Sequence, residues 1–191
     1  MISVLSNIIQ AVENGKIELD YIQNLKIFEI DLSNRGLTVL PDLTIYPNLK
    51  KLNCSFNQLT SLDGLPNWVE EIDCSSNHLS ELPEVLPSKL RKFNCFSNSI
   101  SELPSTLPNV LIYLNCMSNV LTKLSDNILP SSLLYFNCAD NKLETMPLLP
   151  DGLQYLDYSY NYLTFSPNIP TSVKIIYCKN ALAVEKEYTI I

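Results

Sequence analysis

The sequence predicts a β-dominated repeat solenoid, in which short parallel strands stack into one sheet and are joined by extended or turn-like returns. Three observations predict it. Six cysteines fall at 54, 74, 95, 116, 138 and 178, separated by 20, 21, 21, 22 and 40 residues. Asparagines at 57, 77, 98, 119, 141 and 161 keep the same register. All 12 prolines lie between 41 and 170, outside the phrases that carry the cysteines. A regular period of this length marks supersecondary units that are too small to bury their own apolar side and must stack to form a core.

The chain opens with SVLSNIIQAVEN, residues 3–14, whose apolar positions 4, 5, 8, 9 and 12 recur at helical spacing before Gly15. An amphipathic helix is expected there, covering the open end of the first repeat as an N-terminal helical cap over residues 1–26. Residues 16–26 are expected to link it to the array as a second short helix or an irregular strand. The array itself is expected over 27–191, as a single structural domain of about eight units.

The first unit is the degenerate IFEIDLSNRGL from residue 27, with Leu32 at the cysteine position. LKKLNCSFNQL from 49, VEEIDCSSNHL from 69, LRKFNCFSNSI from 90, LIYLNCMSNVL from 111 and LLYFNCADNKL from 133 follow in register. LQYLDYSYNYL from 153 puts Tyr158 where cysteine stood, and VKIIYCKNALA from 173 has Ala181 where asparagine is expected. Within Leu133-x-x-Phe136-x-Cys138 the apolar side chains point inward and the residues between them outward, as a period of two requires. Stacked at about 4.8 Å per strand, eight strands make a ribbon roughly 35 Å long. Proline cannot donate to such a ladder, so it is confined to the returns. At the far end EKEYTII leaves Ile190 and Ile191 without polar cover. A tucked tail is expected there, with a swapped or weak end-to-end dimer as the alternative to a monomer.

These units resemble the leucine-rich repeat family, whose unit reads LxxLxLxxNxL, here with cysteine usually replacing the third leucine. The proline-bearing tails SELPEVLPSKL and SELPSTLPNVL are similar to the short repeats of IpaH- and YopM-type bacterial effectors. The LNCSxN wording and the Asn/Ile/Tyr-rich composition also resemble leucine-rich repeat proteins of giant amoebal viruses. The resemblance implies an α/β horseshoe with its parallel sheet on the concave face. It also implies a ladder in which Asn57, Asn77, Asn98, Asn119, Asn141 and Asn161 satisfy backbone groups where the chain turns off each strand.

A formal charge of −7, from 20 acidic against 13 basic residues, disfavours nucleic acid, whose binding depends on cationic contacts to phosphate. ISVLSNIIQAV is broken by polar residues and matches neither a signal peptide nor a membrane span, so an intracellular, cytoplasmic protein without a membrane role is expected. No CxxC pair occurs and His78 is the only histidine, so neither a metal site nor a cofactor is expected.

Cys138-Ala139-Asp140 matches the Cys-x-Asp motif of ubiquitin ligases among the IpaH-type effectors. In those proteins the catalytic domain is a separate helical one after the repeats, whereas here the motif lies inside a repeat. The register places Cys138 inward with Cys54, Cys74, Cys95, Cys116 and Cys178. A thiol buried among apolar groups has little thiolate, the reverse of what a nucleophile needs. A column of free thiols fits a reducing compartment. His78 reads as an exposed turn residue, and the glycosylation-like Asn53-Cys54-Ser55 as part of a strand. No catalytic residue is expected.

The outward third position of successive units reads Glu29, Lys51, Glu71, Lys92, Tyr113, Tyr135, Tyr155 and Ile175. Opposite charges on neighbouring strands attract, and Lys50, Glu70 and Arg91 repeat the alternation one column earlier, so the first half reads as a solvated surface that fixes its own pairing. In the second half Tyr113, Tyr135 and Tyr155 are joined by Ile112, Met117, Leu134, Tyr160 and Tyr177. Clustered exposed aromatic and apolar groups mark interaction surfaces. The sequence therefore predicts a non-enzymatic protein-binding module that uses its concave face. Similarity to pathogen proteins implies a host protein as partner. The alternatives are the substrate-recognition part of a ubiquitin-ligase effector, or a self-assembling structural module.

Overall fold

The computed structural model describes residues 26–179. The helix expected over 3–14, nearly all of its linker and the terminal EKEYTII lie outside the described residues.

Eight three-residue strands follow one another in chain order: β1 Glu29–Asp31, β2 Lys51–Asn53, β3 Glu71–Asp73, β4 Lys92–Asn94, β5 Tyr113–Asn115, β6 Tyr135–Asn137, β7 Tyr155–Asp157 and β8 Ile175–Tyr177. Each pairs in parallel with the next, so the sheet order is the chain order. Equivalent residues of successive units face each other, as Phe93 faces Leu114 and Tyr113 faces Tyr135. Among the described residues no segment is helical, and the returns are extended or turn-like. The parallel repeat solenoid read from the period is borne out.

Regular inward columns build the core. The first-position residues Leu49, Val69, Leu90, Leu111, Leu133 and Leu153 are fully buried, as are Phe93, Leu114, Phe136 and Leu156 in the strands. The returns close through the same turn: the carbonyl of Tyr46 in the first, and those of Pro66, Pro87, Pro108, Pro130, Pro150 and Pro170 in the rest, accept from the N–H of the residue three positions on, at 2.9–3.3 Å. Proline lacks a donor but has a carbonyl, so it starts this turn without leaving a group unpaired.

Each interior asparagine bonds to two units at once. Asn119 Nδ2 donates to the carbonyls of Cys116 and Cys95, both at 3.1 Å, while its Oδ1 accepts from Ile100 N–H at 3.0 Å. Asn77, Asn98, Asn141 and Asn161 make the equivalent set. Asn57 reaches Leu32 and Cys54 carbonyls and the N–H groups of Arg35 and Leu37. These side chains satisfy polar backbone that would otherwise be buried unpaired.

Candidate functional site

Alternation along each strand puts two columns on the outer face of the sheet. The third-position column begins with ion pairs: Lys51 Nζ lies 3.1 Å from Glu29 and 3.9 Å from Glu71, and Lys92 Nζ lies 3.1 Å from Glu71. Lys50 and Glu70 pair at 2.7 Å one position earlier. Hydrogen bonding to Glu29 raises the Lys51 pKa, and hydrogen bonding to Lys50 lowers that of Glu70.

From β5 onward the column is aromatic. Tyr113 and Tyr135 stack with centroids 4.2 Å apart and planes 13° apart, and Tyr135 stacks on Tyr155 at 4.1 Å and 10°. Tyr177 joins from the neighbouring column, tilted by 48° at 5.9 Å. Parallel strands in register impose this face-on spacing, which is close to the strand separation itself. Burial pushes the Tyr113 phenol up to about 12, assisted by the adjacent Tyr135 hydroxyl, and raises Tyr155 by the same causes.

The remaining residues expected on this surface divide by position. Leu134, Ile175 and Tyr177 are exposed, and Ile112 is half-buried. Met117 lies past the strand, its sulfur 3.8 Å from Asn137 Nδ2. Tyr160 is exposed on the loop that leaves β7, with Lys179 Nζ 6.0 Å from its ring centroid.

A second outward column escaped the sequence reading. Asp31, Asn53, Asp73, Asn94, Asn115, Asn137 and Asp157 each accept, through Oδ1, from the backbone N–H two residues on, at 2.9–3.3 Å. Its signal, an Asp or Asn just before every cysteine position, was present in the repeat alignment. The residue three positions after each of them is left-handed: Asn34, Phe56, Ser76, Ser97, Ser118, Asp140 and Tyr160 have φ of 52–55°. Asparagine and aspartate tolerate this region, whereas Phe56 and Tyr160 adopt it at a cost.

The outer face is indented over β1–β5 by a depression of about 620 Å³, lined by Glu29, Asp31, Lys51, Glu71, Asp73 and Lys92, with Tyr113 at its far end. The cavity thus belongs to the charged half and meets the aromatic half at one residue.

Inside, Cys54, Cys74, Cys95, Cys116 and Cys138 are free and fully buried, while Cys178, just past β8, is free and partly exposed. Burial pushes the Cys54 thiol up to about 12 and raises those of Cys74, Cys95, Cys116 and Cys138. Cys74 Sγ donates to Asn94 O at 3.3 Å. Cys138 Sγ lies 4.0 Å from Met146 Sδ, whereas Asp140 is exposed and accepts from Ser118 Oγ at 2.8 Å. Thiol and carboxylate of the Cys-x-Asp triplet occupy opposite sides of the chain. His78 is an exposed turn residue, and among the described residues no His/Cys/Asp/Glu group could hold a metal ion.

The stacked parallel strands, the inward columns and the repeat phrase define a solenoid of the leucine-rich repeat type, a fold that generally serves as a non-enzymatic protein-interaction scaffold. A family model described as Leucine Rich Repeat matches residues 48–69. The chain resembles bacterial effectors: a Shigella effector LRR domain superposes with a TM-score of 0.72 at 28% identity, over 94% of this chain and 76% of that one. YopM from Yersinia enterocolitica gives a TM-score of 0.64 at 31% identity, over 89% of this chain and 41% of its own length. The functional domain of InlJ from Listeria monocytogenes, described as including a cysteine ladder, shares the fold at 22% identity and a TM-score of 0.59, over 90% of this chain and 48% of that one. This chain therefore spans less than half of those YopM and InlJ structures. No curated protein sequence matches it. Among the described residues no helix is long and apolar enough to cross a membrane.

Proposed function

We propose that this chain is a protein-binding module without catalytic activity of its own, which recognises a protein through the concave face of its sheet, centred on the tyrosine half. The observation that carries this reading is the pair of near-parallel tyrosine stacks on β5–β7, flanked by exposed Leu134, Ile175 and Tyr177. Three rings held face to face lose little further freedom on binding, so a partner meets an ordered surface. Tyrosine offers apolar area with a polar tip, the combination favoured at binding hot spots. Ile112, Met117 and Tyr160 extend the surface on either side of the strands.

Resemblance to effector repeat domains supports a host protein as the target. Six free cysteines support a reducing, intracellular setting, and the net charge of −7 opposes nucleic acid as a partner. The likeness to the Shigella effector LRR domain also favours a second reading, in which this module selects substrates for a larger effector.

The stacked tyrosines contribute to stability, so they are poor probes of binding. Leu134→Glu with Tyr177→Glu places charge on exposed positions, gives up the tilted contact of Tyr177 with Tyr155 and leaves the two face-to-face stacks intact. Affinity capture from eukaryotic cell lysate should yield a partner with the unaltered chain and none with this variant, both being folded at the assay temperature by thermal melting. Equal capture by the two would contradict the assignment.

A further inference from the structure

The depression and the tyrosine surface form one strip, because Tyr113 lines the end of the depression and stacks on Tyr135 at 4.2 Å. Their chemistries together specify an occupant. Four carboxylates line the depression, Glu29, Asp31, Glu71 and Asp73, against the two ammonium groups of Lys51 and Lys92, which leaves a surplus of two negative charges (four minus two). Both lysines are already engaged, Lys51 with Glu29 and Lys92 with Glu71, each at 3.1 Å.

Asp31 and Asp73 accept hydrogen bonds from neutral donors instead, and Arg35 adds a weaker, through-space attraction on Asp31. Asp31 Oδ1 accepts from Ser33 N–H at 2.9 Å. Asp73 accepts from Ser75 N–H at 2.9 Å, Ser75 Oγ at 2.6 Å and Asn94 Nδ2 at 2.9 Å. Such donors orient a carboxylate without neutralising it. A concave surface with an excess of one charge concentrates its field on whatever enters, so this one favours a cation and opposes a phosphate or an acidic segment.

We propose that the partner of this face is a polypeptide segment that crosses the strands in extended form. It sets apolar or aromatic side chains against Tyr113, Tyr135 and Tyr155 and a lysine or arginine in the depression beside Asp31 and Asp73. The proposal rests on the tyrosine half being the recognition surface and adds the chemistry of what it recognises. Spacing follows from the sheet. Tyr135 on β6 lies three strands from Asp73 on β3, roughly 14 Å at about 4.8 Å per strand. That distance is spanned by about four to five residues of extended chain.

The test is a displayed library of random dodecapeptides panned at low salt on the full chain. Selected peptides should carry a basic residue about four to five positions from an apolar or aromatic cluster. Exchanging that residue for glutamine should weaken binding to the unaltered protein about tenfold, as expected for loss of a charge-assisted contact. On the Asp31→Asn/Asp73→Asn variant the same exchange should have little further effect. Peptides without basic enrichment, a glutamine exchange without effect, or no selection above bare support would overturn the proposal. Peptides that lose affinity for the Leu134→Glu/Tyr177→Glu variant yet ignore the cation exchange overturn it while sparing the tyrosine surface. Peptides indifferent to both changes overturn both.

Discussion

Over β1–β4 the outward third column reads Glu29, Lys51, Glu71 and Lys92, and over β5–β7 it reads Tyr113, Tyr135 and Tyr155, although the interior beneath follows one pattern, with Leu32 and Tyr158 standing in for cysteine at β1 and β7. Cysteine, asparagine and leucine columns run through both halves, with Cys74 and Cys138 equally buried and Asn77 and Asn141 making matching bonds. Each exterior pairs with itself, by ion pairs in one half and by ring stacking in the other. The difference lies in what a partner would meet. Paired charges on an exposed surface remain hydrated, whereas stacked rings and exposed Leu134 and Tyr177 present apolar area that gains by being covered. Register thus explains why both columns are regular, and exposed apolar area is what supports the aromatic half as the proposed recognition surface.

The largest expected effect tests the claim that the interior is common. Asn77→Ala and Asn141→Ala each leave carbonyls and an N–H unpaired in the core, which should cost about 2–4 kcal/mol in urea unfolding, alike in the two halves. A cost confined to one half would break the equivalence. Next comes Tyr113→Ser/Tyr135→Ser/Tyr155→Ser, which removes two stacks and should destabilise by about 1–3 kcal/mol. An unchanged unfolding midpoint would show that the rings do not stack in solution.

Titration should sharpen the contrast. In the charged half the Asp31 pKa is lowered, first by its Ser33 hydrogen bonds, and that of Glu70 is lowered by Lys50. A folded pKa below the unfolded one means stability that is present above the ordinary carboxyl range and lost as pH falls through the folded value. Asp31→Asn/Glu70→Gln should therefore flatten the acid limb of the unfolding midpoint against pH. In the aromatic half the Tyr113 pKa is raised to about 12, so its contribution is complete below the ordinary value of 10.0 and lost as pH rises through about 12. Tyrosinate absorbance should show a late component that Tyr113→Phe reduces, with the raised Tyr155 remaining. Titration of all tyrosines near 10 would contradict the packing.

The smallest effect is a gain. Phe56 occupies a left-handed position at φ 54° with its side chain exposed, so Phe56→Asn should stabilise by about 0.5–1 kcal/mol. Loss of stability would mean that the ring has a role in the folded chain.

Most of the fold was legible because the period fixes it. Once the units were aligned on Cys54 through Cys138, the inward and outward columns followed from the alternation of a strand, including Tyr158 in place of cysteine. What the alignment did not convey was geometry between neighbours. That Tyr113, Tyr135 and Tyr155 lie nearly parallel, that Asp31 and Asp73 fold back onto their own loops, and that a depression covers the charged half all depend on rotamers and sheet shape. The aspartate and asparagine column before each cysteine was visible as letters. Its meaning depended on the left-handed residue that follows, which a serine or phenylalanine at that position does not announce.

The central claim is that the aromatic half carries recognition. The most direct measurement is the affinity of one library-selected peptide for the unaltered chain and for Leu134→Glu/Tyr177→Glu, with melting temperatures taken on the same samples. Two charges set into a desolvated contact should weaken binding by about a hundredfold or more while the variant stays folded. Equal affinity for the two proteins would contradict the account.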